Sequence, residues 1–156
     1  LTKSNGKLPS IKELLKLKGD AKKGEAIFHG KAICFSCHKV GKRGMDVGPN
    51  LTDIGGKFGE DYLLDSLINP SSAISFGYET ANITTKAGKE YKGYFIDSDS
   101  DPIVIRDLAG NRTNLAKKDI AKKEMMKTSI MPSVKNLNLN AQEIADLTEY
   151  LSTLKK

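Results

Sequence analysis

The chain has 156 residues, of which 38% are hydrophobic and none is Trp, and its mean hydropathy is −0.39. These values are typical of a water-soluble protein with one domain, or of a small domain that carries an insertion; no run of residues has the apolar length that spans a bilayer. The formal net charge is +6, but the lysines are scattered and no DNA-binding motif accompanies them. We therefore expect no nucleic-acid partner.

The first residues are predicted to be an N-terminal lead-in, 1–19, that contains one short helix. Ser10 can cap a helix that runs to Leu17, and Gly19 would end it. The chain begins with Leu1 rather than Met and shows no signal peptide. We interpret this as a processed or trimmed chain, which is consistent with export.

A second helix is predicted from Asp20 or Ala21 to Phe28. Gly24 and Phe28 are spaced so that they share one face of this helix. A glycine in a helix interior costs roughly 1 kcal/mol relative to alanine. We therefore expect another helix to cross closely at Gly24.

This helix is followed by Cys34-Phe35-Ser36-Cys37-His38, the covalent attachment signature of c-type haem. The two thiols can each form a thioether to one of the two vinyl groups of a porphyrin. The histidine that follows is then held under the iron as its proximal ligand. The chain has 2 Cys, so both are used by one haem, and we predict one covalent haem c.

Three other kinds of site use similar motifs. A structural zinc site usually needs a second pair of ligands, and the spare histidine, His29, lies on the wrong side of the motif. A thioredoxin-like Cys-x-x-Cys would follow a strand, whereas residues 24–30 are predicted as a helix end. A disulfide between Cys34 and Cys37 is compatible with the spacing but leaves His38 unexplained.

The segment after the motif, residues 41–57, is rich in glycine and is predicted as loop. It contains Gly48-Pro49-Asn50-Leu51. A third helix is predicted from Asp61 to Ile68, with acidic residues at its positive start. Asn69-Pro70 would end it.

Residues 78–126 consist of short runs with strand character, separated by turn signals. Five short strands in about fifty residues predict a small antiparallel meander or a barrel of SH3-like size. The pattern leaves their pairing order open. The predicted strands are Tyr78–Thr85, Glu90–Asp97, Pro102–Asp107, Arg112–Ala116 and Ile120–Met126.

A last helix is predicted after Asn140, which can cap it together with Glu143. The apolar side chains of this helix recur at spacings that place them in one buried stripe. Met131, followed by Pro132, precedes the helix. Its soft sulfur is what a sixth iron ligand requires.

These elements, taken in this order, resemble a class I cytochrome c over residues 20–70 and 128–155. The chain is most similar to the Planctomycete, Verrucomicrobium and Bacteroidetes type of haem-binding C-terminal domain, in which a β segment precedes Ser-x-Met-Pro, here residues 129–132. The resemblance implies a mainly α cytochrome c fold, α+β overall, with an antiparallel β meander or SH3-like barrel inserted between the third helix and the methionine. The implied divisions are a lead-in at 1–19, a haem domain at 20–76 and 128–156, and an inserted β subdomain at 77–127.

The resemblance also implies roles for individual residues. The Pro49 carbonyl would accept a hydrogen bond from the His38 ring and orient it, and Leu51 would pack on the porphyrin. The last helix would cross the first through an aromatic contact. The residues in that crossing would be Gly24, Phe28 and Tyr150.

Met131 is predicted as the sixth ligand, and together with His38 it would raise the reduction potential relative to two imidazoles. Its competitors in the sequence are Met45, Met125, Met126 and His29. Met45 would have to reach the opposite haem face through a glycine-rich loop. The adjacent methionines fall in a predicted strand, where at least one is more simply a core residue, and the histidine ends a helix.

The predicted function is one-electron transfer, because an iron with two protein ligands has no open position for a substrate. The chain would be an electron carrier without catalytic residues, either by itself or as the electron-accepting domain of a larger dehydrogenase. The alternative is a haem enzyme or gas-sensing module with an open or displaceable sixth ligand. A further alternative is a binding module in which the β segment is the working part and the haem is structural.

Covalent haem attachment in bacteria takes place outside the cytoplasm, so the resemblance implies a periplasmic or otherwise exported protein. Its partners would be redox proteins. Basic residues that flank the predicted ligands could steer an acidic docking surface towards the haem edge. These residues are Lys31, Lys39, Lys42, Arg43 and Lys135.

Overall fold

The computed structural model describes residues 7–156. Within them the chain forms two regions with separate apolar cores, one made by helices and one made by an antiparallel sheet. The α-helices are α1 (Ile11–Leu14), α2 (Ala21–His29), α3 (Ile54–Lys57), α4 (Glu60–Ile68) and α5 (Ala141–Thr153). The strands are β1 (Lys39–Val40), β2 (Arg43–Gly44), β3 (Thr80–Thr85), β4 (Glu90–Asp97), β5 (Ile103–Arg106), β6 (Arg112–Leu115) and β7 (Ile120–Met125).

Helix α1 is present but shorter than predicted. Ser10 caps it through a capping box with Glu13. The helix ends at Leu14 because the N–H of Leu17 bonds to the Leu14 carbonyl, three residues back instead of four. The part of the predicted lead-in at 1–6 lies outside the described residues.

Helices α2 and α5 cross closely at Gly24, as predicted. A Cβ atom on Gly24 would lie 2.7 Å from the Tyr150 Cβ and would overlap the Asp146 carbonyl. Only glycine allows the helices to approach this closely. Beside it, the rings of Phe28 and Tyr150 meet edge to face with centroids 5.5 Å apart, a favoured aromatic geometry.

The other predicted helices also form, and both face the helical core. Helix α4 begins one residue before the predicted start and buries Leu64 and Leu67. Helix α5 begins with the predicted capping box between Asn140 and Glu143. No helix within residues 7–156 combines the length and the apolar character that a membrane crossing requires.

The prediction of loop for residues 41–57 is wrong for α3 and for β2, which pairs with β1 in a short hairpin. Helix α3 contains Gly55-Gly56, a pair that disfavours helix. A hydrogen bond to a residue outside the helix stabilises it: the Gly55 N–H donates to the Leu154 carbonyl at 2.9 Å. A tertiary contact at the end of α5 therefore overrides the local propensity.

All five predicted strands form, with ends within two residues of the predicted ones. They pair antiparallel in the order β6-β5-β4-β3-β7, so the chain makes a four-strand meander and then returns to its first strand. A turn of 3-10 helix, Lys117–Asp119, precedes this return. The fold is thus mixed helix and antiparallel sheet, while an SH3-like barrel stays a prediction.

Candidate functional site

An open, mainly apolar cleft is lined by residues of both regions. It holds about 1240 Å³ of empty space, part of it open to solvent. Most of the residues predicted to bind the cofactor line this cleft. They are Cys34, Cys37, His38, Pro49 and Met131.

The cysteine motif reaches the cleft because the chain turns sharply after α2. Ile33 has a left-handed backbone with φ 49°, which is unusual for a β-branched residue. One turn of 3-10 helix follows at Cys34–Ser36. The His38 N–H closes the turn on the Cys34 carbonyl at 2.9 Å, so the two thiols and the imidazole face one space.

The thiols of Cys34 and Cys37 are both free. Burial raises the pKa of the Cys34 thiol to about 12. At neutral pH it therefore stays protonated, which fits an apolar wall better than a reactive thiolate site. Within residues 7–156, no group of three or more Cys, His, Asp or Glu side chains is arranged to hold a metal ion.

The His38 imidazole is buried and held in one orientation. Its Nδ1 lies 2.7 Å from the Pro49 carbonyl oxygen; because a carbonyl can only accept, Nδ1 carries the proton. This leaves Nε2 as the ring nitrogen that can bind iron. Burial lowers the pKa of His38 below its ordinary value of 6.5, although the hydrogen bond to Pro49 opposes this, so the ring is neutral at pH 7.

The loop that carries Pro49 is fixed against the motif. The Gly48 N–H donates to the Cys37 carbonyl at 2.7 Å. A Cβ atom on Gly48 would lie 2.8 Å from Cε1 of the His38 ring, so the glycine leaves the space that the imidazole occupies. The predicted hydrogen bond between ring and loop is present in this geometry.

Among the methionines of the described residues, Met131 alone lines the cleft. It follows Ser129, whose hydroxyl accepts a hydrogen bond from the Met131 N–H at 3.1 Å. Met45 and Met125 are about half exposed and lie outside the cleft lining. The His29 ring pairs instead with the Glu25 carbonyl of its own helix, at 3.0 Å.

Leu51 does not line the cleft. It packs against the helical core, and its N–H donates to the Lys39 carbonyl at 2.9 Å. This contact ties the Gly48–Leu51 loop to the strand that follows the motif. The role of Leu51 against a porphyrin stays a prediction.

Sequence reasoning missed the part of the cleft that the sheet region supplies. Tyr78, Tyr94 of β4, and Leu108 in the turn between β5 and β6 all line it. In the sequence both tyrosines are ordinary strand residues. An apolar Leu108 beside a turn was the one weak signal, because turns are mostly polar.

The basic residues predicted to steer a partner differ in their surroundings. Lys31 forms an ion pair with Glu143 at 2.8 Å, which links the segment before the motif to α5. The other four carry no ion pair among the described residues. They are Lys39, Lys42, Arg43 and Lys135, of which all but the first are exposed.

The residues of the cleft fit a covalently bound haem. Two thiols and a neutral, oriented imidazole lie together on a mainly apolar lining, and a glycine leaves room beside the ring. In a comparison with family models, residues 21–104, more than half of the chain, match the model of cytochrome c. The match spans the motif and the Gly-Pro loop and ends before Met131. A search of curated proteins finds no match.

Proposed function

The chain belongs to the cytochrome c family, whose members bind haem c covalently and transfer electrons, and on this premise we propose that it is a monohaem one-electron carrier. Haem supplies an iron that gains and loses one electron reversibly. The observation that carries the proposal is the His38 ring, fixed through Nδ1 by the Pro49 carbonyl beside two thiols. In this proposal the chain is not itself an enzyme.

The proposed attachment runs through Cys34 and Cys37, with His38 as proximal ligand. We assign the sixth position to Met131, because it shares the cleft with the motif and the other methionines of the described residues lie outside it. With both side chains bound to the iron, no position on it would be left for a substrate. Met/His ligation also favours the ferrous state more than two imidazoles would.

The proposed organisation follows the two cores. The haem domain comprises 20–76 and 128–156, and the β subdomain 77–127 is an insertion with an SH3-like strand order. Its ends lie close together: the Met126 N–H donates to the Thr80 carbonyl at 2.8 Å. An insertion whose ends are adjacent can be accommodated without breaking the host fold.

The proposed partners are redox proteins with an acidic docking surface, and the proposed location is the periplasm or another exported compartment. Lys42, Arg43 and Lys135 are exposed and can attract such a surface at long range, an effect that salt weakens. A larger dehydrogenase of the Planctomycete, Verrucomicrobium and Bacteroidetes type is one source of electrons for this domain.

The test is the visible spectrum of the dithionite-reduced holoprotein before and after addition of carbon monoxide. We expect no shift of the Soret band at neutral pH, because both axial positions are filled. Met131→Ala should give a rapid and complete shift. Met45→Ala is the matched control, since Met45 lies outside the cleft, and should behave as the unchanged protein does.

A rapid, complete shift in the unchanged protein would contradict the assignment of Met131. The open-site alternative, a haem enzyme or gas sensor, would then take its place. A protein that carries no covalent haem when produced with haem attachment machinery would contradict the proposal as a whole.

A further inference from the structure

We propose that the sheet region is part of the haem site: the Tyr94 ring covers the haem edge attached to Cys37 and keeps water away from it. This inference rests on the proposed function. It assigns a positioning role in the cofactor's environment to a residue outside the cytochrome motifs. The reaction class stays one-electron transfer.

Tyr94 lies in the cleft and is only 9% exposed. Burial, together with the smaller effects of the nearby Cys37 and Tyr78, raises the pKa of its phenol to about 12. The Tyr78 ring meets it edge to face with centroids 5.5 Å apart. Two aromatic rings from the sheet region therefore line the cleft together.

A chain of hydrogen bonds fixes this wall to the cysteine motif. Tyr94 pairs with Arg106 across β4 and β5. The Arg106 guanidinium donates to the carbonyl of Asp46. The next residue, Val47, donates its N–H to the Cys37 carbonyl at 3.1 Å, so a few links connect the strand of Tyr94 to the backbone of the attachment site.

Covering this edge has an electrostatic consequence. Ferric haem carries one more positive charge than ferrous haem, and a charge is disfavoured where water is excluded. The reduction potential of a haem therefore depends on its exposure to solvent and on how apolar its surroundings are. A ring in the place of Tyr94 should raise the potential and slow reduction by hydrophilic small molecules that approach this edge.

The experiment compares holoprotein variants in an anaerobic redox titration and in stopped-flow reduction by ascorbate. Tyr94→Ser should shift the midpoint potential to a more negative value and speed the reduction. Tyr94→Phe should keep the potential of the unchanged protein, because it keeps the ring. Tyr91→Ser is the matched control: Tyr91 lies on the same strand but packs against the sheet's own core, outside the cleft.

Equal potentials and rates for Tyr94→Ser and Tyr91→Ser, with haem attached to both, would overturn this inference and leave the proposed function standing. A shift in Tyr94→Phe as large as in Tyr94→Ser would overturn the role of the ring. Absence of covalent haem from the unchanged protein would instead refute the proposed function.

A second measurement needs no variant that could fail to fold. In NMR spectra of the unchanged holoprotein, the ring protons of Tyr94 should move between the ferric and ferrous states much more than those of Tyr91, because paramagnetic shifts fall steeply with distance from the iron. Equal, small movements of both rings would overturn the placement of Tyr94 at the haem edge.

Discussion

The two walls of the cleft differ in how the chain makes them. On the helical side, one stretch of five residues brings two thiols and an imidazole together. On the sheet side, Tyr78, Tyr94 and Leu108 come from separate places in the sequence and meet only through strand pairing. The residues for attachment are thus local in the sequence, whereas the enclosure of the cleft is a tertiary property.

The largest expected effects come from removing one buried side chain from each core. Leu147 in α5 and Ile83 in β3 are both 0% exposed, and either change to alanine should cost about 2–5 kcal/mol. We expect Leu147→Ala to lower the urea midpoint followed by the Soret band. Ile83→Ala should lower the urea midpoint at which the sheet region unfolds, as measured by far-ultraviolet circular dichroism. It should leave the urea midpoint followed by the Soret band unchanged.

If both variants lowered the Soret midpoint equally, the two cores would unfold as one unit. The two sides of the cleft would then differ in how the sequence encodes them but would not unfold independently. As a control, the haem spectrum of each folded variant should show that the cofactor is attached.

A smaller effect is expected at the helix crossing that supports the motif. Gly24→Ala adds a Cβ atom against the backbone of Asp146, which cannot move aside as a flexible side chain would. Overpacking of this kind costs up to about 3 kcal/mol, and the gain of about 1 kcal/mol in helix propensity offsets part of it, so we expect a net loss of about 2 kcal/mol. Lys22→Ala, at an exposed position of the same helix, is the control and should change the free energy of unfolding by less than about 0.5 kcal/mol.

The loss for Gly24→Ala should appear in urea unfolding of the holoprotein at neutral pH. A stability equal to that of Lys22→Ala would mean that α2 and α5 separate without cost. The close crossing would then not be what positions the helical wall.

The smallest effect concerns the ion pair that links the motif segment to α5. Partial burial raises the pKa of Glu143, but hydrogen bonds from Lys31 and the Asn140 backbone lower it by more, to below its ordinary value of 4.5. Glu143→Ala should cost about 1 kcal/mol at pH 7. Because the folded-state pKa is lowered, this contribution is present above the unfolded pKa and is lost as the pH falls through the folded pKa.

The measurement is urea unfolding of both proteins at pH 7 and at successively more acidic pH. Lys31→Ala, which removes only the ion pair, separates that contact from the capping of α5. A difference between the unchanged protein and Glu143→Ala that stayed constant into acid would contradict an electrostatic origin.

Much of the helical side could be predicted from the sequence because its signals are local. The motif, the caps at Ser10 and Asn140, and the spacing of Gly24 and Phe28 each act over a few residues, and the structure contains the corresponding turn, capping boxes and crossing. The hydrogen bond from His38 to Pro49 followed from the resemblance and is present at 2.7 Å.

Other features could not be predicted because they depend on partners distant in the chain. Helix α3 forms around Gly55 only because the end of α5 supplies an acceptor, the Leu154 carbonyl. The order of the strands, and with it the approach of Tyr94 to Cys37, is fixed by pairing that strand propensity does not encode. Leu51 packs against the helical core, and its expected contact with the porphyrin stays a prediction.

The central claim is that one haem lies between these walls with His38 and Met131 on its iron. Iron X-ray absorption of the ferric holoprotein tests it most directly, because it identifies the atoms bound to the metal. We predict one sulfur ligand and one imidazole nitrogen beyond the porphyrin, with loss of the sulfur in Met131→Ala. A spectrum without sulfur, or a sulfur ligand that persists in Met131→Ala, would contradict the account.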